Sequence, residues 1–417
     1  MKTVIYSNTF DYSYFLFLQR KYLDLPMKSV ASDLHMSVSK LSRIENNKFT
    51  LTDNLIMSLL DIYHVSIEEF KQADKEYEQL LYLILDHICE GVNDGFDLIT
   101  DLDILDEKYA NIKIPTSLMI RFIVYTFYYS YNLLDKKNIE EMNHLYDDLF
   151  DNIMFFSSNM QKIFYIFSGE MLYFKKSYLM AKDYFIKAEK QFNMLGKYDV
   201  LLYGYLLNCL AKSDNDFEYY GYYSKYNSLC IQYGLSKRMI RGKISYSSFL
   251  RSIENYRLAL KNDCSCLKVI SNDQNVNLTN VLLFNIGIDY KFLREYDKAS
   301  EYIEKTIDYW NDYEAYFELS YCLYKCNSIN KAKEYIKIAK KLDEKENTYL
   351  NLINWLEFII KGSLDKAENV LVNVYNKEYS NSSMITKRSF LILLSEQYVL
   401  MNNYELAYKY SDQLNML

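Results

Sequence analysis

Proline occurs only twice in 417 residues and glycine ten times. The chain therefore lacks the residues that tight β-turns require, which excludes a sandwich or barrel of many short strands. Leu, Ile, Lys, Glu and Tyr dominate instead, and the expected class is all-α. The four histidines (His35, His64, His87, His144) stand far apart and offer no paired metal ligands. Seven cysteines are an odd number scattered over apolar helical stretches, the pattern of reduced core thiols rather than of a disulfide framework. Cys264-x-Cys266 and Cys322-x3-Cys326 have no second ligand pair nearby, so neither a metal nor a cofactor is expected. No glycine-rich phosphate loop, nucleophile elbow or Ser/His/Asp ordering occurs, and an enzyme is not expected. The longest uncharged apolar run, Phe122 to Leu134, is too short to span a bilayer. The opening stretch MKTVIYSNTFDYSYFLFLQR has no signal-peptide pattern, because Asn8 and Asp11 interrupt its apolar run. The expected location is cytoplasmic, away from any membrane.

What is abundant is aromatic: 44 Tyr and 23 Phe. Such rings fill gaps between helices while each tyrosine hydroxyl stays near a partner or water. The net charge of −7 makes the whole molecule a poor polyanion binder, so any nucleic-acid contact needs a local basic patch. Between Arg20 and Lys48 six cations face only three anions, and there the chain reads MKSVASDLHMSVSKLSRIENNK. This stretch divides into two short helices and a tight turn. Val30, Ala31 and Leu34 are spaced to face inward on the first helix, and Leu41 and Ile44 do so on the second. Pro26 stands where a helix can begin, and Ser37 is placed as N-cap of the second helix. SYFLFLQRKYL supplies a helix before this pair, and DNLIMSLLDIYHVSIEEF supplies two after it.

The pattern resembles the five-helix helix-turn-helix domain of the phage-repressor (XRE) class over about residues 11 to 70, chiefly through VASDL, LSRIENNK and LLDIYHVSIEEF. In that class the second helix of the motif lies in the major groove. The resemblance implies that Val38, Ser39 and Arg43 face bases, Arg43 by bidentate pairing with guanine and Val38 by contact with a thymine methyl. Ser37, Lys40, Asn46 and Lys48 would face phosphates. Arg20 and Glu45 fall where the class often holds an ion pair between its first and recognition helices. Asn47 stands where many relatives have Gly, and Asn tolerates the left-handed conformation.

Beyond Phe70, KQADKE reads as a short charged connector and helices follow one another. Residues 71–80 are expected to form a linker helix, and residues 81–417 one repeat domain. The clearest unit is NIGIDYKFLREYDKASEYIEKTI. Positions equivalent to its Ala299 fall at Met142, Ala181, Tyr220, Ala259, Ala332, Ala367 and Ala407, in steps of 33 to 40 residues. Gly95 marks one further, degenerate unit. The spacing resembles tetratricopeptide repeats, with the longer steps assigned to extended inter-helix loops in KSDNDFEYYG and KNDCSCLKVISNDQNVNLTN. Met142 and Tyr220 depart from the small residue that lets helices cross closely.

Such an array is expected to coil into a right-handed superhelix of helix pairs, whose concave face holds an extended peptide or a partner helix. Val281, Phe284, Asn285 and Ile288 belong on that face in one unit, and Glu314, Phe317, Glu318 and Tyr321 in the next. Arg241 and Glu170 fall on comparable faces elsewhere. Asn285 sits where peptide-binding tetratricopeptide domains frequently use Asn to grip a peptide backbone, although a solvated Asn fits the position equally well. The candidate peptide-binding set is Asn285, Glu318, Tyr321, Phe284, Ile288 and Arg241.

The two halves together resemble the RRNPP family of Gram-positive regulators, which answer to short secreted signalling peptides. The resemblance implies a quorum-sensing transcriptional regulator, a homodimer on a palindromic double-stranded DNA operator, with a short signalling peptide as effector. The alternative is a protein-binding scaffold whose helix-turn-helix serves docking or dimerisation. An immunity or phage-lysogeny regulator answering to another protein would share this architecture.

Overall fold

Helix breakers are so rare that consecutive helices are separated mainly by short turns. The computed structural model describes residues 7–91, 98–131, 133–212, 216–270, 276–342 and 347–417. The unit expected around Gly95 lies outside them. First come α1 (Tyr12–Tyr22), α2 (Met27–Asp33), α3 (Val38–Glu45), α4 (Asp53–Ile62) and α5 (Ile67–Glu90). Next are α6 (Leu98–Lys108), α7 (Pro115–Ser130), α8 (Lys136–Asn152), α9 (Ser158–Phe174), α10 (Tyr178–Gln191), α11 (Asp199–Leu210) and α12 (Asp216–Gln232). Then follow α13 (Ser236–Ser252), α14 (Tyr256–Ile270), α15 (Val276–Phe292), α16 (Tyr296–Glu304), α17 (Ile307–Trp310) and α18 (Tyr313–Lys325). The chain ends with α19 (Ile329–Ala339), α20 (Thr348–Ile360), α21 (Leu364–Glu378), α22 (Met384–Leu400) and α23 (Tyr404–Met416). The fold is all-α. Among the described residues there is no strand, only one antiparallel bridge between Phe10 and Phe156.

One turn motif recurs. Lys176, Glu254, Arg294, Asn327 and Asn402 have φ between 57° and 64°, and Gly362 has φ 73°. After each, the next N–H donates to the carbonyl five residues back, as in Glu295 to Tyr290 (2.9 Å) and Ser328 to Leu323 (2.8 Å). This is the Schellman closure, which satisfies helix-end carbonyls and reverses the chain in very few residues. Asp24, His35, Asn47 and His64 adopt the same left-handed conformation, with φ of 50° to 53°, between the first five helices.

Contacts divide the chain into two compact units, one of residues 1–209 and 224–238, the other of 210–223 and 239–417. In the first, α1 to α5 enclose a core of Phe15, Leu16, Leu41, Ile44, Leu59 and Phe70, each fully buried. α1 also docks on the chain beyond α5. Gln19 is buried, donating Nε2–H to the Asn111 carbonyl (2.7 Å) and accepting at Oε1 from the Lys113 amide (2.8 Å). Tyr14 stacks on Phe155 with ring centroids 5.5 Å apart. KQADKE lies within the first half of the unbroken α5, in which Ala73 and Tyr77 carry the apolar face inward and Tyr77 Oη donates to Asp106 (2.6 Å).

In the second unit, α15 with α16, α18 with α19, α20 with α21 and α22 with α23 form antiparallel pairs. The repeat anchors Ala259, Ala299, Ala332 and Ala367 are all fully buried, and Ala407 nearly so. Tyr220 is 52 % exposed and is not an anchor. In the first unit, the ring of Tyr226 covers Gly204 as that of Phe185 covers Gly169. The long steps also have another cause than loops. Most of KNDCSCLKVISNDQNVNLTN is helix, within α14 and α15, and much of KSDNDFEYYG lies in α12. The helices α12, α13 and α15 have 17 residues, whereas α18 and α20 have 13. Extra length is taken up as extra helical turns, since no Pro interrupts these stretches.

A β-carbon on Gly287 would stand 2.5 Å from Ile303 Cγ1 and 3.2 Å from the Ala299 carbonyl oxygen, whereas one on Gly221 would meet nothing within 4 Å. Gly287→Ala should therefore destabilise the protein by about 1–3 kcal/mol through overpacking. Gly221→Ala should stabilise it by up to about 1 kcal/mol through helix propensity. Urea unfolding of the two variants measures both.

Candidate nucleic-acid interface and inner groove

The first candidate site lies on α3, in the first unit. Ser37 caps the helix, its hydroxyl accepting from the Lys40 amide (3.2 Å), and His35 makes the left-handed turn before it. Leu41, Ile44 and Glu45 face inward. Glu45 receives a bidentate grip from Arg20, Nε to Oε1 at 2.5 Å and Nη2 to Oε2 at 2.8 Å, with both side chains buried. Arg20 Nη1 also donates to the Leu25 carbonyl (3.0 Å), and the hydrogen bond to Glu45 holds its pKa above the ordinary range. One pair thus ties α1, the turn before α2, and α3 together.

The opposite face of α3 is open. Val38 is 43 % exposed, and Ser37, Ser39, Lys40, Arg43, Asn46 and Lys48 are also exposed. Lys40 Nζ rests 4.9 Å from the Phe49 ring. Arg43 Nη2 donates weakly to the Lys48 carbonyl (3.4 Å), a contact that a base edge can replace. Asn46 Nδ2 is turned back onto the Ser42 carbonyl (2.7 Å). Among the cations assigned to bases or phosphates, Lys48 has no such internal contact.

The second candidate site lies in the second unit, on α15, α18 and α22. Asn285, Phe284, Ile288 and Arg241 are half-buried, and the Asn285 amide has no hydrogen-bond partner among the described residues. Glu318 and Tyr321 are only 6 % and 5 % exposed, and their polar atoms are engaged. Glu318 accepts from Lys291 Nζ (2.7 Å), and Tyr321 Oη donates to Glu396 Oε2 (2.8 Å), whose other oxygen takes Lys325 Nζ (2.7 Å). Beside them is a cavity of about 70 Å³. Its apolar lining comes from Phe292, Tyr296, Phe317, Tyr321, Ile392 and Leu393, and its polar lining from Lys291, Arg294, Ser389 and Glu396.

Glu314 keeps accessible surface. Even so, loss of surrounding water pushes its carboxyl above the usual range, against a hydrogen bond from Tyr349 and the charge of Lys212. Lys212 is pushed down for the same reason.

Glu170, in the first unit, is not a groove residue. It is 2 % exposed, and burial pushes its pKa up to about 8 despite hydrogen bonds with Tyr205 and Ser130 and the charge of Arg238. Arg238 is itself fixed on the carbonyls of Ile88 and Cys89 at the end of α5. Sequence reasoning missed Arg294, Lys212, Glu396 and the α22 wall of the cavity. A carboxylate at 396 in the apolar run SFLILLSEQYVL was the available signal.

No family model matches the chain, and no curated protein matches it. Solved structures do. A Rap protein complexed with Competence and Sporulation Factor superposes with a TM-score of 0.70 at 15% identity, covering 82% of this chain and 97% of that one. NprR in complex with its cognate peptide NprX gives 0.60 at 15%, over 82% and 97%. The apo form of the quorum sensor NprR from B. thuringiensis gives 0.58 at 16%, over 83% and 98%. At these identities the likeness is one of fold.

Removing one partner of the buried pair leaves the other charge without compensation, so Arg20→Ala should cost about 3–5 kcal/mol and loosen α3. Hydrogen exchange of the α3 amides reads the loosening and urea unfolding the cost. For Glu170, the folded carboxyl holds a proton up to about pH 8, whereas its ordinary value is 4.5. The unfolded chain releases that proton first, so this residue's contribution to stability falls as pH rises through that window. Glu170→Gln should flatten that slope, which is at most about 1.4 kcal/mol per pH unit.

Proposed function

We propose that the protein is a DNA-binding transcriptional regulator. A dimer reads a palindromic operator, and a short signalling peptide on the inner face of the repeats sets its affinity for DNA. The observation that carries this reading is α3: a capped helix, fixed from behind by the buried Arg20–Glu45 pair, with Val38, Ser39, Lys40 and Arg43 all on the exposed side. A helix so held presents its N-terminal side chains to a major groove without ordering them first. Arg43 is assigned to a base edge and Lys40 and Lys48 to phosphates. The peptide half is supported by the unpartnered, half-buried Asn285 amide, and by a fold shared with a structure of NprR in complex with its cognate peptide NprX. An effector that prefers one arrangement of the repeats shifts the spacing of two dimer-related readers, and half-site spacing is what a duplex measures.

A second reading is favoured by the docking of α1 through Gln19 and Tyr14 on the chain beyond α5. In it the N-terminal helices are part of a protein-binding surface, and the molecule acts on another regulatory protein. Duplexes enriched from a random pool by the protein separate the two. On the regulator reading, retention falls steeply with salt. Arg43→Ala loses about 1–3 kcal/mol on the enriched duplex and little on random DNA, whereas Lys40→Ala weakens both and lowers the salt slope by about one. Failure to enrich any duplex, with the α3 face intact by circular dichroism, favours the scaffold.

A further inference from the structure

The cavity beside Tyr321 is too small for a peptide and sized for part of one side chain. At about 70 Å³ it gives room for roughly five waters and is about half the roughly 150 Å³ of a cavity that takes benzene, so it holds part of a side chain rather than enclosing a whole ring. Its apolar lining, four aromatic rings with Ile392 and Leu393, suits a small branched alkyl group or the edge of an aromatic ring.

Its charges are unevenly committed. Lys291 is neutralised by Glu318, Glu396 is taken up by Lys325 and Tyr321, and Ser389 Oγ donates to the Ile385 carbonyl (3.1 Å). Glu295, next in the chain to Arg294, pairs with Lys298 (2.6 Å). Arg294 is exposed, and its guanidinium has, among the described residues, neither ion pair nor hydrogen bond. The one uncommitted charge on the lining is therefore positive, and a ligand that fills the cavity meets an unopposed guanidinium.

We propose that this cavity binds the C-terminal residue of a peptide, with an apolar side chain in the cavity and the free α-carboxylate on Arg294. The proposal rests on the peptide-binding reading above and specifies its chemistry. Asn285 lies seven residues before Phe292 on α15, two helical turns or about 10 Å along the helix axis, which is roughly three residues of extended chain. A peptide anchored by its last residue at Arg294 thus brings a peptide bond about three residues earlier to the Asn285 amide, which offers both a donor and an acceptor.

The probes are N-acetyl-L-phenylalanine, its C-terminal amide and N-acetylglycine, titrated by calorimetry or saturation-transfer NMR. The free acid should bind at least about tenfold more tightly than the amide, since a charge-assisted hydrogen bond is lost in the latter. N-acetylglycine, with nothing to fill the cavity, should not bind. Arg294→Gly should bring acid and amide to equal affinity. Because Arg294 has φ 61°, glycine relaxes that turn and the variant folds. Leu393→Trp, which fills the cavity from within, should abolish binding of both. Equal affinity of acid and amide for the wild type, retention of the preference in Arg294→Gly, or undiminished binding in Leu393→Trp each overturns the proposal. If the acid binds here but peptides ending in Phe leave DNA retention unchanged, the site stands and the regulatory reading falls. If a peptide controls DNA retention equally well with its C-terminus amidated, the regulatory reading stands and this site falls.

Discussion

Two helices approach only as closely as the side chains at their crossing allow, and the repeats of this protein depend on that limit. Gly287 lies under Ile303, Gly169 under Phe185, and the second helices bring Ala259, Ala299, Ala332 and Ala367 to zero exposure. Close crossing turns the large residues on either side outward from the pair, where they bury against the next. Long side chains of first helices that do not meet a neighbouring pair are left for the inner face. Asn285 is half-buried and its side chain is unbonded for this reason.

The turns enforce the same geometry from the ends. A Schellman closure reverses the chain within a few residues, so the second helix of a pair starts next to the end of the first. Asn and Gly adopt the left-handed residue at little cost, and three of the turns use them, at Asn327, Gly362 and Asn402. At Arg294 a charged side chain takes this position, at the edge of the cavity that Tyr321 and Leu393 line. The turn that closes α15 against α16 thus also places a guanidinium beside an apolar recess.

Buried charge sets the remaining positions. Arg20 with Glu45 holds α3 from behind. Arg251 lies between Asp263 and Asp289 and joins α13, α14 and α15. Buried pairs of this kind add little net stability over apolar packing, but few alternative arrangements satisfy them. In this protein the Arg20–Glu45 pair fixes which face of α3 remains outside, the side with Val38, Ser39 and Arg43.

The sequence by itself determined the helical class, the capped turn before α3 and six of the eight repeat anchors as small residues, because each is a local matter of propensity, capping or spacing along one helix; the meeting of Arg20 with Glu45, on two different helices, came only through the resemblance to the phage-repressor class. It misplaced the anchor at Tyr220 and read loops into residues that lengthen α12, α14 and α15, since steps of 39 and 40 residues do not reveal whether the extra length is coil or helix. It placed Glu318 and Tyr321 on the inner face without showing that Lys291 and Glu396 already occupy their polar atoms. Only the tertiary structure decided that. Residues 321 and 396 are 75 positions apart, and a pattern of helical periods says which face a residue occupies, not which distant face it meets.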